Sequence, residues 1–260
     1  MAEFVSLSRA GDASGSGRGV AVLRIARPPM NLFDTQLIRE IAEAAAACGA
    51  DPEIAALVVY GDERVFCAGD DLAELAELPA EQAAAMAADL QTALGCLAAV
   101  GQPTVAAISG YALGSGLELA LGADRRIIGD NVKLGFPQID AGLIPLAGIR
   151  RLSLLIGPGA AKDLVYSGRF VEADEAARLG LVDEVVAPDD VLGAAIDWAR
   201  RFIDGPARAL AAAKAVFEAG PHGHEQARTE WAQLFDTEDQ RIGTRSYLRD
   251  GPGSAVFTGR

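Results

Sequence analysis

The stretch Gly110–Ala120, GYALGSGLELA, follows the short apolar run Thr104–Ile108, and the two together decide the fold class. The apolar run is typical of a strand that is buried on both faces, and residues 115–122 favour a helix. The glycines at the junction let the chain turn sharply and let a ligand approach the backbone closely. Strands that alternate with helices in this way predict an α/β fold.

A second junction of the same kind lies earlier in the chain. Phe66–Leu72, FCAGDDL, follows the apolar run Ala55–Tyr60 and opens another helix. Each junction presents free backbone N–H groups at a helix N-terminus, and two such donors that converge on one oxygen form an oxyanion hole. Glu118 lies three residues after Ser115, on the same helical face. A carboxylate beside a polarised oxygen suits general acid/base chemistry on an enolate.

These features also have ordinary explanations. Strand-to-helix turns are common, and a lone glutamate in the first turns of a helix is often a solvated residue that the helix dipole favours. The unit Gly114–Gly116 resembles part of a dinucleotide-binding loop, but G-x-G-x-x-G requires a glycine where Leu119 stands. Spacing alone therefore leaves the chemistry open.

The remaining chain divides into a mixed part and a helical part. Further strands are predicted at residues 3–9, 19–26, 125–128 and 132–134, and helices from Asn31 or Asp34 to about Cys48 and from 71 to about 100. The glycine- and serine-rich residues 11–19 predict a flexible connection. From about residue 190 only helices are predicted, at 191–203, 207–219 and 226–248. We therefore predict a core domain at 1–190 and a separate helical region at 191–260.

Composition and charge exclude several classes of protein. The chain has 260 residues and a formal net charge of −13 without basic runs, which disfavours nucleic acid as a partner. Cys48, Cys67 and Cys96 are widely spaced and predict a reduced, cytoplasmic protein. His222 and His224 have no further ligands near them, so no metal site is predicted. Neither a secretory signal nor a membrane span is predicted.

Four blocks together resemble one known family. They are FCAGDDL (66–72), GYALGSGLELA (110–120), GFPQIDAGLIP (135–145) and SGRFVEADEAARLGLVDEVV (167–186), preceded by RPPMN at 27–31. In this order and spacing they resemble the crotonase (enoyl-CoA hydratase/isomerase) superfamily over nearly the whole chain. The resemblance implies a ClpP-like spiral of ββα units and a C-terminal helical region that supports homotrimers or homohexamers. It implies no cofactor, because CoA is part of the acyl-CoA substrate.

The resemblance also implies a site for the thioester. Its carbonyl oxygen would accept hydrogen bonds from the backbone N–H groups of Asp70 and Ser115. The CoA moiety would pass Ala68 and Gly69, and Arg27 would contact a phosphate. These positions follow from matching the family's motifs to this sequence.

Family hydratases use two glutamates to add water to a trans-2-enoyl-CoA, as in fatty acid β-oxidation. The first matches Glu118, but the second position carries Gln138. Glutamine orients water without exchanging a proton at neutral pH, so Asp140 is a possible auxiliary group. Some isomerases and dehalogenases of the superfamily carry an aspartate at a third position, and that position is Leu146 in this chain. The resemblance thus implies an enoyl-CoA hydratase, with an enoyl-CoA isomerase, other crotonase chemistry or a non-catalytic acyl-CoA-binding protein as alternatives.

Overall fold

The computed structural model describes residues 2–10, 17–220 and 223–260. Its strands are β1 Val5–Ala10, β2 Gly19–Ile25, β3 Ile54–Tyr60, β4 Thr104–Ile108, β5 Tyr111–Leu113, β6 Arg125–Gly129, β7 Lys133–Gly135, β8 Phe170–Glu172 and β9 Glu184–Val186. Its helices are α1 Thr35–Ala50, α2 Leu72–Ala76, α3 Ala83–Ala99, α4 Ser115–Leu121, α5 Gly148–Ser167, α6 Ala173–Leu179, α7 Val191–Arg200, α8 Ala207–Glu218, α9 Gly223–Leu234 and α10 Glu238–Asp250. Short 3-10 helices span Pro137–Ala141 and Pro188–Asp190.

The strands form two sheets. The larger has the order β1-β2-β3-β4-β6-β9 and is parallel except for the antiparallel β1–β2 pair. The smaller has the order β5-β7-β8, in which β5 and β7 run parallel and β8 runs antiparallel to β7. The α/β class predicted from alternating strands and helices is confirmed.

Two units of the chain pass through both sheets before they enter a helix. Thus β4 of the large sheet leads to β5 of the small sheet and then to α4, and β6 leads to β7 and on to α5. An isolated parallel bridge between Cys67 and Ala112 places the segment after β3 beside β5 as well. Three successive units therefore stack their strand-to-helix junctions at one edge of the molecule, as expected for a spiral of ββα units.

The large sheet is buried on both faces. Every residue of β3 and β4 is buried, which explains their continuous apolar sequences. One face packs against α1, α3 and α4. The other carries Val58, Val105 and Ile127, which belong to the same hydrophobic cluster as residues 191–199 of α7. The first C-terminal helix thus covers the core sheet, and the division of the chain at residue 190 stays a prediction.

The structure differs from the predicted elements in several places, and it contains two helices that were not predicted, α5 and α6. The helix predicted from 71 to about 100 is two helices, α2 and α3, because Pro79 disfavours helix in the residues before it. The helix predicted at 226–248 is also two, since the Thr237 side chain accepts a hydrogen bond from Gln240 N (3.1 Å) and caps a new helix, α10. Strands β5, β8 and β9 have three residues each and are too short to show a periodicity.

Some predictions fall on residues that the structure does not describe. The proposed connection at 11–19 lies outside the described residues over 11–16, and so does His222. Within the described ranges, no helix has the length and apolar character needed to cross a membrane.

Candidate active site

The two glycine-containing junctions lie directly against each other. Cys67 N donates to Tyr111 O (2.9 Å), and Leu113 N donates to Cys67 O (3.0 Å). The first turn of α4 packs so closely on this segment that a Cβ on Gly116 would lie 2.5 Å from Cys67 O. Only glycine fits there, and its absence of a side chain brings the N-terminus of α4 onto the loop 66–70.

This contact brings Asp70 and Ser115 together. The Ser115 hydroxyl donates a hydrogen bond to an oxygen of the Asp70 carboxylate, and Ser115 is fully buried. Burial raises the pKa of Asp70, while the Ser115 hydroxyl and the backbone N–H groups of Asp70 and Ser115 act to lower it. The two residues whose N–H groups are assigned to the oxyanion hole therefore lie side by side, joined by this side-chain hydrogen bond.

Glu118 lies one helical turn further along α4 and is 1 % exposed. Its Oε2 accepts hydrogen bonds from Ala147 N (2.5 Å) and Gly148 N (2.6 Å), at the start of α5. A Cβ on Gly148 would lie 2.8 Å from Glu118 Cγ, so glycine is required for this approach. The backbone of the next ββα unit thus holds the carboxylate in place.

The environment of Glu118 tunes its protonation. Burial raises its pKa to about 7, against the lowering effect of the backbone hydrogen bonds from Ala147, Gly148 and Leu146, and the charge of Asp70 adds to the increase. A carboxyl group with a pKa near neutrality exists in both protonation states at physiological pH. It can therefore serve both as a base and as an acid in one reaction cycle.

Gln138 completes the group around Glu118. Its Nε2 donates to Glu118 Oε1 (3.1 Å), and the side chain is buried. Its Oε1 is also buried and has no hydrogen-bond partner among the described residues. A buried carbonyl oxygen of this kind is suited to accept a hydrogen bond from a water molecule or a ligand.

Asp140 does not join this group. It lies on the same 3-10 helix as Gln138 but is exposed, and its carboxylate is beside Gly168, where a Cβ would lie 3.0 Å from Asp140 Oδ2. Its assignment as an auxiliary group stays a prediction without a contact to Glu118.

Two of the residues assigned to CoA binding, Ala68 and Gly69, directly precede Asp70, and the third, Arg27, contacts Asp71. The Arg27 guanidinium forms ion pairs with Asp34 (2.8 Å) and Asp71 (3.0 Å), so its charge is already compensated. Half-buried Ala68 donates its N–H to Met30 O (3.0 Å). Gly69 has a φ of 105° and passes close to Leu113 O. These positions border the oxyanion hole, and their contact with CoA stays a prediction.

Two functional features were missed by sequence reasoning. The N–H groups of Ala147 and Gly148 hold Glu118, and the only signal was the small pair Ala147-Gly148 after Pro145. Nothing in the sequence indicated that the Asp70 side chain turns towards Ser115, because a sequence motif does not say where a side chain points. Among the residues that the structure describes, no three His, Cys, Asp or Glu side chains are grouped to hold a metal ion.

A family model described as enoyl-CoA hydratase/isomerase matches residues 15–252. The chain belongs to this family. The resemblance to crotonases is thereby confirmed, and so is the assignment of a hydratase-like enzyme. Membership of this family implies an acyl-CoA substrate.

Relatives and solved structures agree with the family assignment. The chain is 52 % identical over 208 residues to a protein of Mycobacterium tuberculosis named probable enoyl-CoA hydratase EchA17, covering 78 % of this chain and 80 % of that protein. It is 38 % identical over 236 residues to probable enoyl-CoA hydratase EchA8 of Mycobacterium bovis, covering 88 % and 91 %. The crystal structure of enoyl-CoA hydratase from Bacillus anthracis superposes with a TM-score of 0.88 at 28 % identity, over 99 % of this chain and 100 % of that one. The crotonase fold is confirmed.

Proposed function

We propose that this enzyme adds water across the double bond of a trans-2-enoyl-CoA thioester, with Glu118 as its only acid/base group. The observation that carries the proposal is a buried carboxyl whose pKa is about 7, one helical turn from the N–H of Ser115. The family and the named relatives support the reaction class. The proposed steps use water and the chain's own residues, without a cofactor or metal.

The thioester oxygen would accept hydrogen bonds from Asp70 N–H and Ser115 N–H. These donors polarise the conjugated system, so that the β-carbon becomes electrophilic and the enolate that follows is stabilised. Exposed apolar side chains at Leu143, Ile144 and Ile149 flank the Ala147–Gly148 turn and are suited to contact the acyl chain. The reacting carbons would then lie over Glu118.

One carboxylate is sufficient for the proton transfers. Ionised Glu118 takes a proton from water while the water oxygen bonds to the β-carbon and the π bond breaks. The same carboxyl, now protonated, then gives that proton to the α-carbon of the enolate, and Glu118 returns to its starting state. Because one group serves both carbons, water adds to a single face of the double bond.

Gln138 would orient the water. Its Nε2 is committed to Glu118, so its Oε1 is available as an acceptor for one O–H of water. The other O–H would then point towards the Glu118 carboxylate. In this arrangement Gln138 positions the nucleophile without exchanging a proton.

The proposal predicts a pH dependence for hydration. Glu118 must be ionised to accept a proton from water, and its pKa is about 7. We therefore expect kcat/KM for crotonyl-CoA, or for a longer trans-2-enoyl-CoA, to rise with pH through neutrality and to level off above it. Loss of the conjugated-thioester absorbance measures the rate.

Other outcomes of this assay would favour other functions. Turnover of a 3-enoyl-CoA to the conjugated isomer without hydration would favour an isomerase, in which Glu118 moves a proton between two carbons. Tight binding of enoyl-CoA without any turnover would indicate an acyl-CoA-binding protein. A rate that is constant across the pH range contradicts Glu118 as the base.

We also propose that the chain forms a homotrimer or homohexamer in the cytoplasm. Its C-terminal helices expose large apolar side chains that a monomer would leave in water: Phe217, Trp231, Phe235, Tyr247 and Leu248. We expect sedimentation equilibrium to give a multiple of three times the 26.9 kDa chain mass. Leu248→Glu, at an 81 % exposed position, should weaken the assembly, and a wild-type monomer at all concentrations would contradict the proposal.

The three buried free cysteines suit a reducing compartment.

A further inference from the structure

The Asp70 side chain takes a position that the proposed reaction does not use. The backbone N–H of Asp70 is assigned to the thioester oxygen, yet the carboxylate of the same residue turns back among the donors. It accepts a hydrogen bond from the Ser115 hydroxyl, and the N–H groups of Asp70 and Ser115 both act on its pKa. The carboxylate therefore lies against the first turn of α4, beside the backbone whose N–H groups are assigned to the thioester oxygen.

The neighbours of Asp70 mark this place as the reaction centre. A Cβ built on Gly114 would lie 3.1 Å from Gln138 Nε2 and 3.4 Å from Asp70 Oδ2, so both side chains close over the same backbone position. The unpartnered and buried Gln138 Oε1 belongs to the same side chain. When it is ionised, a carboxylate oxygen resembles in charge the thioester oxygen of the enolate.

We propose that the ionised Asp70 carboxylate is an internal occupant of the oxyanion hole, which the thioester oxygen must displace, and that Asp70 thereby sets the affinity for acyl-CoA. This inference rests on the proposed function, because it assumes that the thioester binds in this hole. Displacement costs the hydrogen bond from the Ser115 hydroxyl, and a hydrogen bond to a charged acceptor is stronger than one to a neutral acceptor. A neutral side chain at position 70 removes this competition and keeps the backbone N–H.

Asp70 should make the affinity for the thioester depend on pH, and the groups that face Asp70 bear on the direction of this effect. They are the Glu118 carboxyl from α4, the Cys67 thiol from the preceding loop, and the uncharged Ser115 and Gln138. Burial raises the pKa of Asp70, and the proton is therefore gained at a higher pH than in an exposed aspartate. A protonated carboxyl is a weaker hydrogen-bond acceptor than a carboxylate and competes less with the thioester oxygen. The affinity for the thioester should therefore increase as the pH falls.

The test is calorimetric binding of butyryl-CoA, a saturated thioester that cannot be hydrated, at about pH 5.5 and about pH 8. The proteins are wild type, Asp70→Ala and Asp70→Asn, with Asp189→Ala as a control that removes an exposed carboxylate from the 3-10 helix 188–190. Free CoA serves as the ligand without a thioester oxygen. Thermal melting of each variant shows that it is folded.

We expect both Asp70 variants to bind butyryl-CoA about tenfold more tightly than wild type at the higher pH, and the difference to shrink at the lower pH. Free CoA should bind all four proteins alike, and Asp189→Ala should match wild type. Equal affinity of wild type and Asp70→Asn for butyryl-CoA overturns the inference. So does an equal gain for free CoA, since that gain would come from general repulsion of an anion.

Butyryl-CoA binding separates failure of the internal occupant from failure of the acyl-CoA site. If butyryl-CoA binds to wild type and the variants with the same affinity, the internal occupant is wrong while the acyl-CoA site stands. If butyryl-CoA binds to none of the proteins, the proposed function is wrong, and the inference is overturned with it.

Discussion

Glu118→Gln is expected to lower kcat for hydration by about 10³-fold and to leave the dissociation constant for butyryl-CoA within about threefold. Glutamine keeps an oxygen that can accept from Ala147 N and Gly148 N, which now bind Glu118 Oε2. It cannot take a proton from water, and the neighbouring Gln138 cannot replace it. The loss should therefore fall on the chemical step and not on binding.

Stability gives an independent reading of the same variant. The pKa of Glu118 is about 7 in the folded protein, whereas an exposed glutamate titrates near 4.3. The folded state holds this proton more tightly, so the stability that it contributes is complete below the unfolded pKa and is lost as the pH rises through about 7. Above that pH the buried charge costs up to about 4 kcal/mol, which Glu118→Gln removes.

The measurement combines hydration rates, followed by loss of the conjugated-thioester absorbance, with thermal melts, both at about pH 5 and about pH 8. Glu43→Gln, at an exposed position of α1, is the matched control and should change neither quantity. We expect Glu118→Gln to hydrate about 10³-fold more slowly than wild type at the higher pH, and to melt higher than wild type only at that pH. An active variant would show that another group exchanges the proton.

Gln138→Glu is expected to raise kcat for hydration by about 10²-fold. The new carboxyl would lie against Glu118 Oε1, where Gln138 Nε2 now lies at 3.1 Å. Two buried carboxyl groups this close cannot both be ionised, so the pair shares one proton near neutral pH. One group can then give a proton to the α-carbon while the other takes a proton from water.

The control for this substitution is Gln138→Met, which keeps a side chain of similar length without a polar end. It should lower kcat below that of wild type, because the water then loses its acceptor at Gln138 Oε1. Unchanged kcat in Gln138→Glu would mean that proton delivery to the α-carbon does not limit the rate. A decrease would mean that the amide itself is required, and Glu118 would then work best with a neutral partner.

Local sequence patterns determined most of the secondary structure. The apolar runs that became β3 and β4 are buried on both faces, and Asp34 caps α1 as its position before an amphipathic segment predicts. The breaks in the predicted helices at Pro79 and Thr237 were also local, since proline and a capping threonine act on their own neighbours. The three-residue strands β5, β8 and β9 were not predicted, because their pairing depends on partners distant in sequence.

The candidate site shows the same division. The motifs at 66–72, 110–120 and 135–145 were enough to name Asp70, Ser115, Glu118 and Gln138 and to match them to a family. Only the tertiary structure put the start of α5 against Glu118, turned the Asp70 carboxylate towards Ser115 and left Asp140 exposed. A pKa near 7 is likewise a property of burial by several ββα units at once. Residue types and their spacing are local, whereas burial and the direction of a side chain arise only when distant segments pack together.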